Sequence, residues 1–130
     1  MGPRRPRAVV LDSGALIAFE KNDRRVRTLI ELALAHGAPL WTAGGVVAQV
    51  WRDGSRQARL ARLLGSGLVQ VQPLDRDEAQ ATGALCGEAG TKDVVDASVV
   101  LLARKHAATI VTSDPDDLTR IDPGARLVTC

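Results

Sequence analysis

The chain has 130 residues, 45% hydrophobic and 25% charged, and its 17 basic residues against 15 acidic ones leave a formal net charge of +2. This is the composition of one globular domain, residues 1–130, able to bury roughly two thirds of its unfolded surface; disordered and fibrous chains are excluded. No apolar run approaches the ~18 residues of a membrane span and no signal peptide follows the MGPRRPR leader, so the expectation is a cytoplasmic protein with no membrane contact.

Residues 1–7 are a basic leader expected to be disordered. Ala8 to Leu11 is a short apolar, β-prone run of the kind found in buried parallel strands. It ends in Asp12-Ser13-Gly14, a strand-to-helix turn, and Ala15 to Phe19 reads as a short helix. From Asp23 to His36, Val26, Leu29, Ile30, Ala33 and Leu34 recur at helical spacing until Gly37 and Pro39 stop the pattern. Leu40 to Thr42 is a second strand, with Trp41 in the core. The helix Val46 to Arg52 follows, carrying Gln49 and ending at Asp53-Gly54.

Arg56 to Leu64 repeats the helical pattern, with Leu60, Leu63 and Leu64 on the apolar side. Leu68 to Val71 is a third strand by its alternation. Asp75 to Ala89 is an alanine-rich helix whose Asp75 and Glu78 have capping-box spacing. Residues 91–107 form a nearly all-apolar helix entered through Asp93 and Asp96, which share a face three residues apart. Thr109 to Thr112 is a fourth strand followed directly by Ser113-Asp114, Pro115 to Arg120 is a short helix, and Arg126 to Thr129 is a last strand. Strands alternating with helices imply an α/β fold: a central parallel sheet of four to five strands with helices on both faces.

In such sheets, ligands bind beyond the carboxyl ends of the strands, which is where Asp12 and Asp114 fall by sequence position. Asp93 and Asp96 have an ordinary explanation as helix caps. If their helix starts at the same sheet edge, however, four carboxylates meet there and repel unless a cation compensates them. An oxygen-only site of this kind suits Mg²⁺ or Mn²⁺ and points to metal-assisted hydrolysis of a phosphate ester.

Four stretches carry a resemblance: VVLDSGALIA at 9–18, VVAQVWRD at 46–53, DVVDASVVLLAR at 93–104 and IVTSDPDDL at 110–118. In order and spacing the chain resembles the PIN-domain ribonucleases, particularly the toxins of bacterial VapBC toxin–antitoxin modules. The resemblance implies a three-layer PIN-like fold and an Mg²⁺- or Mn²⁺-dependent endoribonuclease. It also implies a homodimer silenced by a cognate antitoxin protein that covers or enters the active site. By position, Asp12, Asp96 and Asp114 stand for the family's acids as catalytic and metal-binding residues, with Asp93 a fourth participant.

One departure stands out. Where the family places a glutamate, this sequence has Gln49, which can coordinate through its amide oxygen but brings no charge. Asp53, one turn along, is a candidate substitute. Asp117 can reach a metal through water, whereas Asp116 reads as a helix cap beside Pro115. Ser13 and Ser113 flank the strand-end acids and are candidates for substrate binding, as are Arg52 and Arg56, which with Arg59 and Arg62 form a basic stripe suited to RNA phosphates. Trp51 is a candidate partner contact.

Two other readings compete. A haloacid-dehalogenase phosphatase requires a second aspartate two residues after the first, where Gly14 stands. A PIN-like protein that binds RNA or a partner with weak or no nuclease activity is the alternative that Gln49 raises. Neither Cys86 and Cys130 nor His36 and His106 have the spacing of a zinc site or disulfide framework, and both histidines read as helix-end residues.

Overall fold

A computed structural model describes residues 7–130. Five short strands form one sheet: β1 (Val9–Leu11), β2 (Leu40–Ala43), β3 (Val69–Gln72), β4 (Thr109–Thr112) and β5 (Arg126–Thr129). Their order is β3-β2-β1-β4-β5 and every pairing is parallel. Seven helices connect them: α1 (Ser13–Glu20), α2 (Arg24–Ala35), α3 (Gly44–Val50), α4 (Ala58–Gly65), α5 (Arg76–Ala89), α6 (Val94–His106) and α7 (Pro115–Ile121). Among the described residues, no helix is long and apolar enough to cross a membrane.

The central position belongs to β1, and its composition explains why: a strand covered on both faces must be apolar throughout. Val9 and Leu11 face a cavity under α2, which Val26, Leu29 and Ile30 line from the other side. By strand alternation Val10 points to the opposite face, where α6 packs. Helix α6 is buried between the sheet and α5, with Ala97, Ser98, Val99, Val100, Leu102 and Ala103 inside, so its charged residues gather at its two ends.

The expected leader falls largely on residues 1–6, which lie outside the described residues. Arg7, its last member, is exposed and donates from Nη1 to the Ala107 carbonyl at 3.0 Å.

Several element boundaries differ from the sequence expectation, each for a local reason. Helix α3 ends at Val50 instead of Arg52, and α4 begins at Ala58 instead of Arg56. Gln57 sets both limits. Its side chain turns inward, only 8% exposed; Oε1 accepts from the backbone N–H groups of Arg52 (2.8 Å) and Asp53 (3.0 Å). Nε2 donates to the Val50 carbonyl (2.9 Å) and to Glu20 Oε2 (3.1 Å). One amide thus satisfies the frayed end of α3 and ties it to α1.

The capping box of α5 is half formed. Asp75 Oδ1 accepts from the Glu78 N–H at 2.9 Å, but the buried Glu78 carboxylate pairs with Lys105 on α6 instead of turning back to the cap. His106 is the last residue of α6, as expected, and its ring stacks on Trp41, ring centroids 4.1 Å apart. His36 does hold a carbonyl of its own last turn, with Nδ1 2.7 Å from Leu32 O.

Replacing Gln57 with alanine removes four hydrogen bonds and leaves the buried Val50 carbonyl and two partly buried backbone N–H groups without their partner. The expected cost is about 2–3 kcal/mol, measured by denaturant unfolding; a loss below about 0.5 kcal/mol would show that solvent replaces this network.

Candidate metal centre at the carboxyl edge of the sheet

Asp12 leaves β1 at the carboxyl edge and serves as N-cap of α1. It is 3% exposed. Oδ1 accepts from the Ser13 N–H at 2.7 Å and from Ser13 Oγ at 3.3 Å, while Oδ2 accepts from Thr112 Oγ1 at 2.7 Å. Oδ2 keeps a lone pair for a further partner, whereas the two donors of Ser13 occupy Oδ1.

Thr112 is the residue that sequence reasoning missed. Fully buried at the end of β4, its hydroxyl donates to Asp12 and accepts from the Asp114 N–H at 3.0 Å, joining the two strand-end acids through one oxygen. The available signal was a threonine two residues before an aspartate at a strand end, the spacing of a side chain that closes a turn onto the backbone. Thr42 does comparable work on the neighbouring strand, donating to the Leu11 carbonyl at 2.8 Å.

Gly14 has a structural reason as well. A Cβ there would lie 2.9 Å from the Ser113 backbone nitrogen and closer still to its side chain. The turns after β1 and β4 therefore touch, and only glycine permits the approach.

On α6, Asp93 is the N-cap: its Oδ1 accepts from the Asp96 N–H at 2.9 Å, and its own N–H donates to Thr91 Oγ1 at 3.1 Å. The Asp96 side chain does not complete a capping box and is left half-buried among other acids. Burial, the charge of Asp93, the charge of Asp12, a hydrogen bond shared with Asp93 and the charge of Asp117 together push its carboxyl up to about 7. Asp12, Asp93, Asp96 and Asp117 are thus one electrostatic unit.

The other expected site residues are placed differently. Asp114 is exposed, N-caps α7 without a side-chain bond, and is absent from the charges that raise Asp96. Asp117, expected only as a distant participant, contributes instead and also pairs with Arg120 at 3.2 Å. Asp116 is exposed in the first turn of α7.

Gln49 is exposed near the end of α3, one turn beyond Gly45, whose face looks onto Val95 and Ser98 of α6. Asp53 is engaged locally: its Oδ1 accepts from Ser55 N (3.0 Å) and Oγ (2.7 Å), which hold its carboxyl below the ordinary value. Ser113 is exposed beside Gly14. Arg52 donates to the Ala48 and Trp51 carbonyls, and Arg56 lies 3.8 Å from Asp53. Because α3 stops before Arg52 and α4 starts after Arg56, these two do not continue the helical stripe of Arg59 and Arg62. Trp51 is 37% exposed and lies over Gly54.

Compared with known proteins, residues 9–123 match the PIN domain. The chain belongs to the PIN-domain family. No curated protein matches its sequence. Among solved structures it is similar to a chain of VapBC2 from Rickettsia felis, determined with a DNA fragment from their promoter (TM-score 0.71, 18% identity, covering 95% of this chain and 98% of that one). It is similar also to a chain of a toxin–antitoxin complex from Klebsiella pneumoniae (TM-score 0.68, 18% identity, 94% and 97%). A third is VapC20 of Mycobacterium tuberculosis, a sarcin–ricin loop cleaving toxin (TM-score 0.56, 19% identity, 79% and 87%). At these identities the likeness is one of fold.

The donor set of this PIN domain fits a hard divalent cation in its chemistry: several carboxylates, no sulfur or imidazole, and mutual repulsion that a cation would relieve. Among the described residues, however, no group of three His, Cys, Asp or Glu side chains converges to hold a metal. The acids form a cluster of charge and not a closed coordination shell.

The raised carboxyl makes a prediction about stability without metal. Unfolded, Asp96 ionises at its ordinary value near 3.8, whereas folded it holds its proton up to about 7. Between these values the folded state binds more protons, so stability falls as pH rises through the window and the loss is complete above it. In chelator, Asp96→Asn should therefore stabilise the protein at pH 8 by roughly 1–2 kcal/mol, discounted for partial exposure, and by much less at pH 4. Thermal unfolding at both pH values measures this, and an equal effect at both would contradict it.

Proposed function

We propose that this protein is a divalent-metal-dependent endoribonuclease that hydrolyses RNA phosphodiester bonds, and that it is the toxin of a toxin–antitoxin module. The observation that carries the reading is the placement, in a PIN domain, of Asp12 at the carboxyl end of β1 and of Asp93 and Asp96 at the start of α6, close enough that the charges of Asp93 and Asp12 act on Asp96. Membership of the family and the likeness to VapC20 and to toxin–antitoxin complexes support it.

Asp12, Asp93 and Asp96 would hold Mg²⁺ or Mn²⁺, with Asp117 and Asp114 at the margin and Gln49 across the cleft. When bound, such an ion lowers the pKa of water and stabilises charge developing on the phosphate. The chain's own contribution is placement and proton handling. Thr112 and the Ser13 N–H fix both oxygens of Asp12, so that group needs little reorganisation. Asp96, raised to about 7 by burial and by its neighbours' charge, is the acid whose ionisation a bound cation would favour most. Ser13 and Ser113 border the place where a scissile phosphate would lie, and Arg52 and Arg56 provide positive charge outside it.

An antitoxin that covers the site has a surface to meet. Val94, between the two helix-start acids, is 56% exposed, and Leu74 is 54% exposed across a small groove lined by Gly45, Val95 and Ser98. Apolar residues left open beside a charged site mark a place for a partner chain. A homodimer completes the proposed assembly.

The second reading, a PIN-like binder of RNA or a partner with weak or no nuclease activity, rests on Gln49 and on the open arrangement of the acids. The antitoxin-free protein incubated with structured and single-stranded RNA, in Mn²⁺, Mg²⁺ or chelator, decides between them. The expected result is metal-dependent cleavage, slowed about 10²-fold or more in Asp96→Asn; RNA patterns identical with and without metal would sink the nuclease reading.

Gln49→Glu tests the missing charge. Mn²⁺ should bind about tenfold more tightly, some 1.4 kcal/mol, by calorimetry. Unchanged affinity would place residue 49 away from the ion.

A further inference from the structure

The opposite edge of the sheet carries the reverse charge. A cavity of about 200 Å³ opens there between the end of α6 and the start of β5, and three arginines line it: Arg7, Arg104 and Arg126. They arrive from distant parts of the chain. Arg7 precedes β1, Arg104 lies in the last turn of α6, and Arg126 begins β5 in register with Thr109.

We infer that this cavity is a binding site for a phosphate group, formed by the guanidiniums of Arg7, Arg104 and Arg126. The charge balance supports the class of ligand. Among the described residues, the only carboxylate lining the cavity is Asp122, already engaged by Arg104 Nε at 3.1 Å and by the Gly124 N–H at 2.9 Å. Three guanidiniums against one carboxylate leave two positive charges, which a dianionic phosphate neutralises and a single carboxylate does not.

Donor capacity points the same way. A guanidinium has five N–H donors in a planar fork matched to phosphate oxygens. Arg7 directs one to the Ala107 carbonyl and Arg104 one to Asp122, while the Arg126 guanidinium has no hydrogen bond to another described residue. The Arg7 bond also covers a carbonyl at the negative end of α6, which would otherwise repel an anion. Small residues such as Ala103 and Gly124 leave the floor bare. The volume is below the roughly 300 Å³ at which sites for larger organic ligands begin, so one phosphate group fits and a whole nucleoside does not.

Such a group can be free phosphate or the terminal phosphate of a nucleic acid. The test is calorimetric titration of the full chain, at constant ionic strength and in chelator, with inorganic phosphate and with a short DNA oligonucleotide bearing either a 5′-phosphate or a 5′-hydroxyl. The expected result is one saturable phosphate per chain, bound at least tenfold more weakly by Arg126→Gln and by Arg7→Gln, and within twofold of the parent by Arg76→Gln at the exposed start of α5. Preference for the 5′-phosphorylated oligonucleotide, lost in Arg126→Gln, supports a nucleic-acid end as the source. Phosphate binding with no preference between the oligonucleotides supports the free anion. Absence of saturable phosphate binding, its survival in both cavity variants, or tighter binding of tetraglutamate than of phosphate would overturn the assignment.

Discussion

The hydrogen bond from Thr112 Oγ1 to Asp12 Oδ2 spans one hundred residues of chain and lies inside the fold. It exists because β1 and β4 pair in parallel, with Leu11 opposite Val111, so the residues that leave these strands emerge side by side. The Asp12 N–H donates to the Val111 carbonyl at 3.0 Å and extends the ladder by one bond into the site. Gly14 then lets the two turns meet without a side chain between them. A carboxyl group on so deeply buried a residue is tolerable only with such partners. The site's innermost acid is therefore held by the same contact that joins the halves of the sheet.

Around that fixed group the electrostatics are left unresolved by the chain itself. Asp93 and Asp117 add charge near Asp96, and the cation on hand, Arg120, pairs with the outermost member. Cation affinity and folding thus draw on the same repulsion: whatever relieves it stabilises the native state as well as the site.

The parallel sheet separates the two charge systems. All strands point one way, so their carboxyl ends collect Asp12 and Asp114 while their amino ends collect Arg7 and Arg126. Helix α6 runs back between them with Asp93 and Asp96 at one end and Arg104 and Lys105 at the other, the polarity that its dipole favours. Acidic and basic sites at opposite edges follow from this directionality without any special feature in the loops.

Much of this was readable from the residues alone. Apolar runs and helical spacing determined the number and order of elements, because a buried strand and an amphipathic helix leave distinct periodicities. The same patterns put Asp12 at a strand end and Asp93 and Asp96 at a helix start, where the structure has them. What the sequence did not contain was distance. That Thr112 joins two strand ends, that Asp117 and not Asp114 acts on Asp96, that Gln57 folds inward to end one helix and start the next, and that three arginines share a cavity all depend on side chains far apart in the chain. Periodicity records which face of an element is buried. Only the packing of those faces against one another decides which polar groups meet, and their energies depend on separations of a few ångströms.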